Sequence, residues 1–335
     1  MDHGYLAKAV SQLPIRLARA ASGAWALLAG PCLSILIFHR VHAATDVLFP
    51  EEPDAAQFDR LMRFVARVFK VMTLGEALTA LANDRLPPRA LVISFDDGYA
   101  DNAEVALPIL LRYGLTASFF VSTGFLDGGR MWNDSVIACV GQCKRDVLEL
   151  ESFGLGPLPM ATHTMRRSVI NALLPKIKYL GLEERQSAIA SLRRLADVTD
   201  LPSNLMMSSA QVRQLHSAGM EIGGHTVNHP ILAAIEPQHA EQELAQGKKE
   251  LEAILDAPVD VVAYPNGKPG RDYDSRHVAM AKRLGFRGAV STAMGVSRPG
   301  DDLFQLPRFT PWQKSLPHWA ARLLLNQRNT KFDRA

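Results

Sequence analysis

The sequence has little that would specify a disulfide framework, a nucleic-acid partner or a repeat architecture. Its 335 residues include only three cysteines, Cys32, Cys139 and Cys143, and no two of them form a CxxC pair. This number and spacing favour three reduced thiols in apolar surroundings over a disulfide scaffold or a zinc knuckle. The formal net charge is only +3, and no basic stripe with interleaved aromatics is present, so we expect no nucleic-acid partner. No internal repeat or low-complexity segment is evident.

The composition and the alternation of strand and helix patterns are those of a folded α/β protein. Hydrophobic residues make up 47% of the chain and charged residues 21%, which is ordinary for a globular domain. Short apolar runs alternate with longer amphipathic stretches, a pattern that predicts α/β architecture. The predicted strands are Ser34–Phe38, Leu91–Phe95, Ser118–Ser122, Met220–Gly223, Asp260–Tyr264 and Gly288–Ser291, with a weaker one at Phe304–Leu306.

The first 33 residues allow two interpretations. No charged residue occurs from Ala20 to Phe38, a stretch close to the roughly 20 residues that span a bilayer, but Pro31 interrupts it. A signal peptide would place a basic region before such a run. We favour an N-terminal amphipathic helix within residues 1–33, followed by a core strand, and such a helix suits peripheral contact with a membrane surface. The expected location is then cytoplasmic or peripheral to the membrane, and periplasmic if the segment is a signal.

Residues from about 125 to 209 interrupt the alternation. They contain no convincing strand and several helical patterns, which predicts a helical insertion of roughly 80 residues on a strand barrel. Loops over the active end of a barrel usually contact substrate, although an insertion without a substrate role is the alternative. Residues 313–335 are expected to form a C-terminal helix or tail.

A doublet of carboxylates follows one predicted strand directly. The run Leu91–Phe95 leads into Asp96, Asp97 and Gly98, so both carboxylates are delivered to one rim of the sheet. Adjacent carboxylates in a confined site repel each other, and a cation or an arginine is needed nearby. With one carboxylate on a metal, the other is free for proton transfer. The alternative is an ordinary Asp-Gly turn after a strand.

A pair of histidines follows another predicted strand. His225 and His229 are four residues apart after a Gly-Gly strand end. If the chain turns helically there, the two imidazoles face one point and can share a zinc ion. One aspartate with two histidines makes three protein ligands and leaves a coordination position open, which is the composition of a catalytic metal site. Such a metal activates water and polarises a carbonyl, and the other aspartate can serve as the base.

These two motifs, Ser94-Phe95-Asp96-Asp97-Gly98-Tyr99 and His225-Thr226-Val227-Asn228-His229, resemble those of the polysaccharide deacetylases of carbohydrate esterase family 4, the NodB type. The resemblance covers residues 34–312, and the insertion accounts for the long spacing between the motifs. It implies a distorted (β/α) barrel of about seven strands that hydrolyses N-acetyl groups on an amino-sugar polysaccharide, an exopolysaccharide or its precursor. It further implies Asp96 as general base, and Asp97, His225 and His229 as ligands of a divalent metal, with zinc expected and cobalt or nickel as alternatives.

A third family motif corresponds to Tyr264-Pro265-Asn266. The resemblance implies that the backbone amide of Asn266 helps to hold the oxyanion, and that Tyr264 and Pro265 lie at the substrate. Many members carry an arginine shortly before this proline to orient the base, and this sequence does not. Arg308, beside the last predicted strand, is our candidate for that charge, with a surface arginine as the alternative.

The general acid is the other departure from the family pattern. Many members end with a Leu-x-His motif, and the corresponding stretch here contains no histidine. His39, at the end of the first predicted strand, is our candidate, although a histidine that only bonds its own loop is the alternative. Tyr99 and Trp132 are the candidate sugar contacts, since a tryptophan beside polar residues can stack on a sugar ring. A core position is the alternative for both aromatics.

Two other functions remain open from the residues alone. A hydrolase of a small cyclic amide or ureide would use similar metal ligands on the same scaffold. A glycan-binding homologue without catalysis would explain the missing arginine and the missing terminal histidine. The intact Asp doublet and His pair favour the enzyme.

Overall fold

A computed structural model of the protein describes residues 30–310 and 315–335. The predicted N-terminal amphipathic helix lies almost entirely outside these ranges. Among the helices within them, none is both long enough and apolar enough to cross a bilayer.

The described strands and helices alternate along the chain, as the sequence predicts. The strands are β1 Leu33–Phe38, β2 Lys70–Val71, β3 Ala90–Phe95, β4 Ser118–Val121, β5 Val147–Leu148, β6 Leu158–Pro159, β7 Glu221–Gly224, β8 Val261–Ala263, β9 Gly288–Met294 and β10 Leu306–Arg308. The helices are α1 Ala55–Val68, α2 Leu74–Ala82, α3 Leu107–Arg112, α4 Trp132–Gln142, α5 His163–Lys178, α6 Leu182–Ala196, α7 Ser209–Ser217, α8 Pro237–Leu255, α9 Ser275–Arg283 and α10 Leu316–Asn326. A π-helical turn, Asn102–Ala106, leads directly into α3.

Seven parallel strands form a nearly closed barrel in the order β1-β3-β4-β7-β8-β9-β10, and the short β2 also pairs with β3. The two ends of this order meet just beyond β10. The Ile37 amide donates to the Phe309 carbonyl at 3.1 Å, and the Phe309 amide donates to the Ile35 carbonyl at 2.7 Å. The predicted distorted (β/α) barrel of about seven strands is confirmed.

The barrel strands are buried on both faces, which explains their continuous apolar runs. Every residue of β1 and of β3 is buried. On the helix side, Phe95 stacks on Phe119 with ring centroids 4.7 Å apart. A second apolar cluster includes Ile35, Val92 and Phe120, which come from three neighbouring strands. Each such large side chain contributes about 1.5–3 kcal/mol on full burial.

Local signals set the helix boundaries. Asp54 caps α1 by accepting a hydrogen bond from the Gln57 amide. Thr73 and Glu76 form a reciprocal capping box at the start of α2. Each arrangement satisfies amides that have no partner within the helix.

The sequence-based boundaries were wrong at the last strand and missed a short one. The last strand is Leu306–Arg308 rather than Phe304–Leu306, because Asp302 and the residues after it form a turn in which its carboxylate accepts from the Phe304 amide. Pro307 and Arg308 also break the apolar pattern on which the prediction depended. The two-residue β2 is too short to show any periodicity.

The insertion is mainly helical and has a core of its own. Helices α4, α5 and α6 pack around a cluster that includes Val136, Leu173 and Leu192. The expectation that it contains no strand was wrong, since β5 and β6 pair as a small antiparallel ribbon. Two paired residues per strand leave no readable alternation in the sequence.

The three cysteines are buried and unpaired, as predicted. Cys139 and Cys143 belong to the core of the insertion. Burial raises the pKa of the Cys139 thiol to about 11, so this thiol remains protonated at neutral pH.

Candidate active site

The chemically important side chains gather at one rim of the barrel because parallel strands all end there. Asp96 and Asp97 follow β3, His225 follows β7, and Arg308 closes β10. Asn266 lies in the turn after β8. The topology alone therefore brings together residues that are more than 200 positions apart.

A tight turn aims the two aspartates. Asp97 has φ 75° and Gly98 has φ 91°, both in the left-handed region. Aspartate tolerates this conformation better than most residues, and glycine adopts it without penalty. A Cβ atom at Gly98 would lie 3.0 Å from Cγ1 of Val121, so the turn also packs closely against β4.

Asp97, His225 and His229 present a convergent set of ligand atoms. Oδ1 of Asp97 lies 3.4 Å from Nε2 of His225 and 3.4 Å from Nε2 of His229. One atom from each residue lies within 4.8 Å of the other two. The structure thus places the three predicted metal ligands together in an arrangement that could hold one cation.

The backbone carbonyl of Ala263 fixes the orientation of the His225 ring. Its Nδ1 lies 2.8 Å from the Ala263 carbonyl, which can only accept, so Nδ1 carries the proton and Nε2 faces Asp97. Such a backbone partner is the usual second contact of a metal-binding histidine. His229 is half-buried, and its Nδ1 has no hydrogen-bond partner among the described residues.

The protonation of this cluster depends on burial and on its mutual charges. Burial opposes ionisation of Asp97, but its hydrogen bond to His225, the largest of the opposing effects, helps to hold the pKa of Asp97 well below the ordinary value. Burial lowers the pKa of His229 to about 3, which leaves a neutral imidazole. Burial also acts to lower the pKa of His225, but the two aspartates outweigh it and raise that pKa. A cation that binds Nε2 of His225 would have to displace the proton on that nitrogen, as is usual when metals bind.

Asp96 and Arg308 form a buried bidentate pair. Nη1 and Nη2 of Arg308 donate to the two carboxylate oxygens of Asp96, each at 2.7 Å. Nε of Arg308 donates to the Ser291 carbonyl at 2.8 Å, and Nη1 also lies 3.3 Å from the Ser94 hydroxyl. Arg308 is 2% exposed, which contradicts the alternative of a surface arginine.

This pair keeps Asp96 ionised. Burial alone would raise the pKa of Asp96, but the guanidinium of Arg308 holds it below the ordinary value. Both carboxylate oxygens are fixed by the two parallel hydrogen bonds, which set the direction of the carboxylate as well as its charge.

His39 lies near the two aspartates, at the end of β1. It is half-buried, and its positive form would lower the pKa of both Asp96 and Asp97, after larger effects from other groups. Its backbone carbonyl accepts from the Asn102 amide group at 2.9 Å. Within the described residues no hydrogen bond is recorded for its imidazole ring.

The residues of the third motif differ in placement. Asn266 is half-buried with φ 59°, and its carbonyl accepts from the Thr292 hydroxyl. Pro265 is buried just before it. Tyr264 is completely buried, stacks on Tyr273 at 4.1 Å and bonds the Phe304 carbonyl, so its side chain belongs to the core. We therefore do not carry Tyr264 forward as a sugar contact.

Tyr99 connects the site to the insertion, and its side chain is buried with Met131 and Met206, so the core alternative holds for it rather than a sugar contact. Its hydroxyl lies 3.3 Å from Oδ1 of Asp134 and 3.5 Å from Nδ2 of Asn133, both in the first turn of α4. The guanidinium of Arg40 lies 4.8 Å from the ring centroid of Tyr99. Trp132 is half-buried against the core of the insertion, with Arg185 5.1 Å from its ring centroid.

Sequence reasoning missed the polar network behind Tyr99. Arg40 pairs with Asp101 at 2.8 Å, and the Asp101 carboxylate also accepts from the Val41 amide. Burial raises the pKa of Asp134 to about 7. Asp101, two residues beyond Tyr99, was the available signal, but nothing in the sequence indicates that Arg40 reaches it.

The fold and these contacts define a (β/α)-barrel protein whose strand ends carry an Asp-His-His cluster beside a carboxylate held by an arginine. A family model described as polysaccharide deacetylase matches residues 83–289. The chain therefore belongs to the polysaccharide deacetylase family and is a deacetylase, which confirms the resemblance. A Bacillus subtilis relative named "Putative polysaccharide deacetylase YxkH" is 20% identical over 290 residues, covering 86% of this chain and 74% of the relative.

Solved structures share the fold. The deacetylase PplD of Streptococcus pyogenes, in complex with acetate, matches with a TM-score of 0.60 and 19% identity, over 88% of this chain and 98% of PplD. IcaB from Ammonifex degensii matches with a TM-score of 0.56 and 19% identity, over 87% of this chain and 97% of IcaB. At these identities the matches establish the barrel fold.

Proposed function

We propose that this protein is a zinc-dependent enzyme that removes N-acetyl groups from an amino-sugar exopolysaccharide or its precursor. The observation that carries the proposal is the position of three convergent ligand atoms directly beside the Asp96–Arg308 pair. Asp97, His225 and His229 would hold the metal, and Asp96 would remain free for proton transfer.

The spacing of the ligand atoms suits zinc. Tetrahedral zinc binds histidine nitrogen and carboxylate oxygen at about 2.0–2.2 Å, which places two ligand atoms about 3.3–3.5 Å apart. The two distances from Oδ1 of Asp97 to the imidazole nitrogens are both 3.4 Å. Three protein ligands also leave a position for water or substrate, as in catalytic sites. The donor set suits cobalt and nickel as well.

The bound metal would supply a water of lowered pKa and polarise the acetamido carbonyl. Asp96, kept ionised and fixed in direction by Arg308, accepts the proton of the attacking water. The carbonyl oxygen then gains negative charge, and the backbone amide of Asn266 donates to it. A well-aimed donor of this kind contributes on the order of 3 kcal/mol to transition-state stabilisation.

His39 then protonates the departing amine, since collapse of the tetrahedral carbon breaks the C–N bond and requires a proton on nitrogen. The products are acetate and a free amino group on the sugar. Support for His39 is its position directly after Phe38, which pairs with Phe95 and whose carbonyl accepts from the Asp96 amide at 2.9 Å. The His39 imidazole also makes no hydrogen bond within the described residues.

A polymer suits the surroundings of the site better than a small cyclic amide. The first turn of α4 contacts Tyr99, so the insertion extends the surface next to the catalytic rim beyond the barrel itself. Trp132, which is half-buried, remains the candidate sugar contact, whereas Tyr99 and Pro265 are buried as Tyr264 is.

The test is acetate release from a panel of acetylated exopolysaccharides and chitooligosaccharides, with small cyclic imides as the competing substrates. We expect release from at least one glycan, loss of release after a chelator, and recovery with added zinc. Release that is unaffected by complete metal removal would contradict the metal assignment. Turnover of imides without any acetate release from glycans would contradict the substrate class.

A further inference from the structure

The histidine loop, residues 225–229, has a conformation that its own sequence does not favour. Thr226 has φ 67° and His229 has φ 51°, both in the left-handed region. For a β-branched residue such as Thr226 this conformation is a true outlier. Strained backbone of this kind persists only where the surrounding structure over-determines it. The contacts of the loop should therefore show what holds it.

One side of the loop is held by the turn after β4. The Thr123 amide donates to the Thr226 carbonyl at 3.2 Å, and the Gly124 amide donates to the Val227 carbonyl at 2.9 Å. A Cβ atom at Gly124 would lie 2.9 Å from that same carbonyl oxygen. The Ser122 hydroxyl also donates to the His225 carbonyl at 2.9 Å, and the His225 amide donates to the Val121 carbonyl at 3.1 Å. This side therefore holds three carbonyl groups of the loop and the His225 amide, but not the amides of Val227 and Asn228.

The amides are held by Glu243, a residue of α8. Oε2 of Glu243 accepts from the Val227 amide at 2.9 Å and from the Asn228 amide at 2.7 Å. Oε1 of Glu243 accepts from the Asn228 side chain at 2.8 Å. One carboxylate thus holds the two residues that separate Thr226 from His229.

Gly247 lets the helix approach closely enough for these contacts. It lies four residues after Glu243, one turn further along the same face of α8. A Cβ atom at Gly247 would lie 2.9 Å from the Thr226 carbonyl carbon and 3.0 Å from its oxygen. Only glycine fits there without moving the backbone of the loop.

We propose that Glu243 is a positioning residue that fixes the histidine loop in its metal-binding conformation, with Gly247 providing the close approach. Glu243 acts through Val227 and Asn228 and touches no reacting atom. The proposal rests on the proposed function in so far as His225 and His229 bind the metal, but the conformational effect is measurable without any metal.

The first test is amide hydrogen exchange at Val227 and Asn228 in zinc-free protein. We expect exchange at least tenfold faster in Glu243→Ala and near the wild-type rate in Glu243→Gln. The glutamine oxygen can still accept both backbone amides, and its nitrogen can face the oxygen of a flipped Asn228 side chain. Glu250→Ala is the matched control, because Glu250 lies on the same helix and, within the described residues, accepts a hydrogen bond only from Gln246.

The second test is zinc affinity by competition with a chelating dye. Loss of an outer contact typically weakens metal binding by 10–100-fold, and we expect this for Glu243→Ala. At saturating zinc, kcat should return towards the wild-type value with KM unchanged, because the bound metal then holds the loop. Glu243→Gln should restore the affinity to within a few-fold of wild type.

Gly247→Ala is the second variant, in case Glu243→Ala does not fold. Alanine favours a helix interior over glycine, so a loop independent of α8 would keep its zinc affinity and the protein would gain stability. We expect the opposite, a loss of affinity of at least tenfold.

Exchange and zinc affinity in Glu243→Ala equal to those of Glu250→Ala would overturn the proposal, as would wild-type affinity in Gly247→Ala. If the wild-type protein releases no acetate from any glycan, the proposed function fails. The exchange measurement on zinc-free protein still decides the role of Glu243 in that case.

Discussion

Replacement of Arg308 by methionine tests the buried pair at the centre of the proposed mechanism. The substitution removes the bidentate partner of Asp96 and leaves a carboxylate that is only 3% exposed without its counter-charge. Breaking a buried ion pair at one partner costs about 3–5 kcal/mol in the free energy of unfolding. The base also loses its fixed direction, and misplacement of a catalytic group by about 1 Å can cost on the order of 100-fold in rate.

The measurements are urea unfolding and kcat/KM for acetate release. Arg112→Met is the matched control, because Arg112 also bonds an aspartate, Asp59, but its side chain is 61% exposed. An exposed pair is worth about 0–1 kcal/mol, so this variant should be nearly neutral. We expect Arg308→Met to keep its zinc, since Arg308 bonds none of the three proposed ligands.

A double variant separates the buried charge from simple loss of packing. In Arg308→Met the main cost is the uncompensated Asp96 carboxylate. Adding Asp96→Asn should therefore recover at least about 1 kcal/mol in the free energy of unfolding, while activity stays absent. If Arg308→Met costs no more than Arg112→Met, or if the double variant is less stable than Arg308→Met, the account of this pair is wrong.

Three further predictions concern the metal site, the base and a helix cap. Asp96→Asn should release no acetate yet retain zinc in metal analysis, and near-normal turnover would exclude Asp96 as the base. His225→Ala should lose zinc and activity together; a variant that keeps stoichiometric zinc would contradict its role as a ligand. Asp274 caps α9, and its hydrogen bond to Arg276 lowers its pKa to about 2. Its contribution is therefore present above about pH 4 and is lost as the pH falls through 2. Asp274→Ala should lower the unfolding free energy by about 1 kcal/mol at pH 7 and by less at pH 2, and an equal loss at both would refute the charge effect.

The parts of the site that sequence predicts best are those fixed by local pattern. Asp96 and Asp97 follow an apolar run whose length and composition favour a buried strand, and His225 follows another predicted strand. Since parallel strand ends meet at one rim, the strand predictions suffice to place these residues together. The structure brings Asp97 within 3.4 Å of both imidazole nitrogens. The expectation of a helical turn, on which the spacing argument depended, was wrong, because residues 225–229 form a loop in which Thr226 and His229 are left-handed.

The residues of the site that could not be predicted from the sequence are those whose contacts join elements far apart in the chain. Arg308 was a candidate only because the family's usual arginine is missing, and no local pattern shows that β10 returns beside β1. Glu243 gave no signal, since a glutamate on an amphipathic helix is ordinarily a solvated residue. Tyr264 was misjudged as a substrate contact because the motif gives its position in the chain but not the direction of its ring.

The pairing of the first and last strands has a consequence for synthesis of the protein. Asp96 is made early, whereas its counter-ion Arg308 lies in the strand that closes the barrel. A chain that ends before β10 has the three proposed ligands and Asp96 but lacks the guanidinium that fixes this carboxylate. Under the proposed mechanism the catalytic site is complete only after the last strand has been synthesised and has closed the ring.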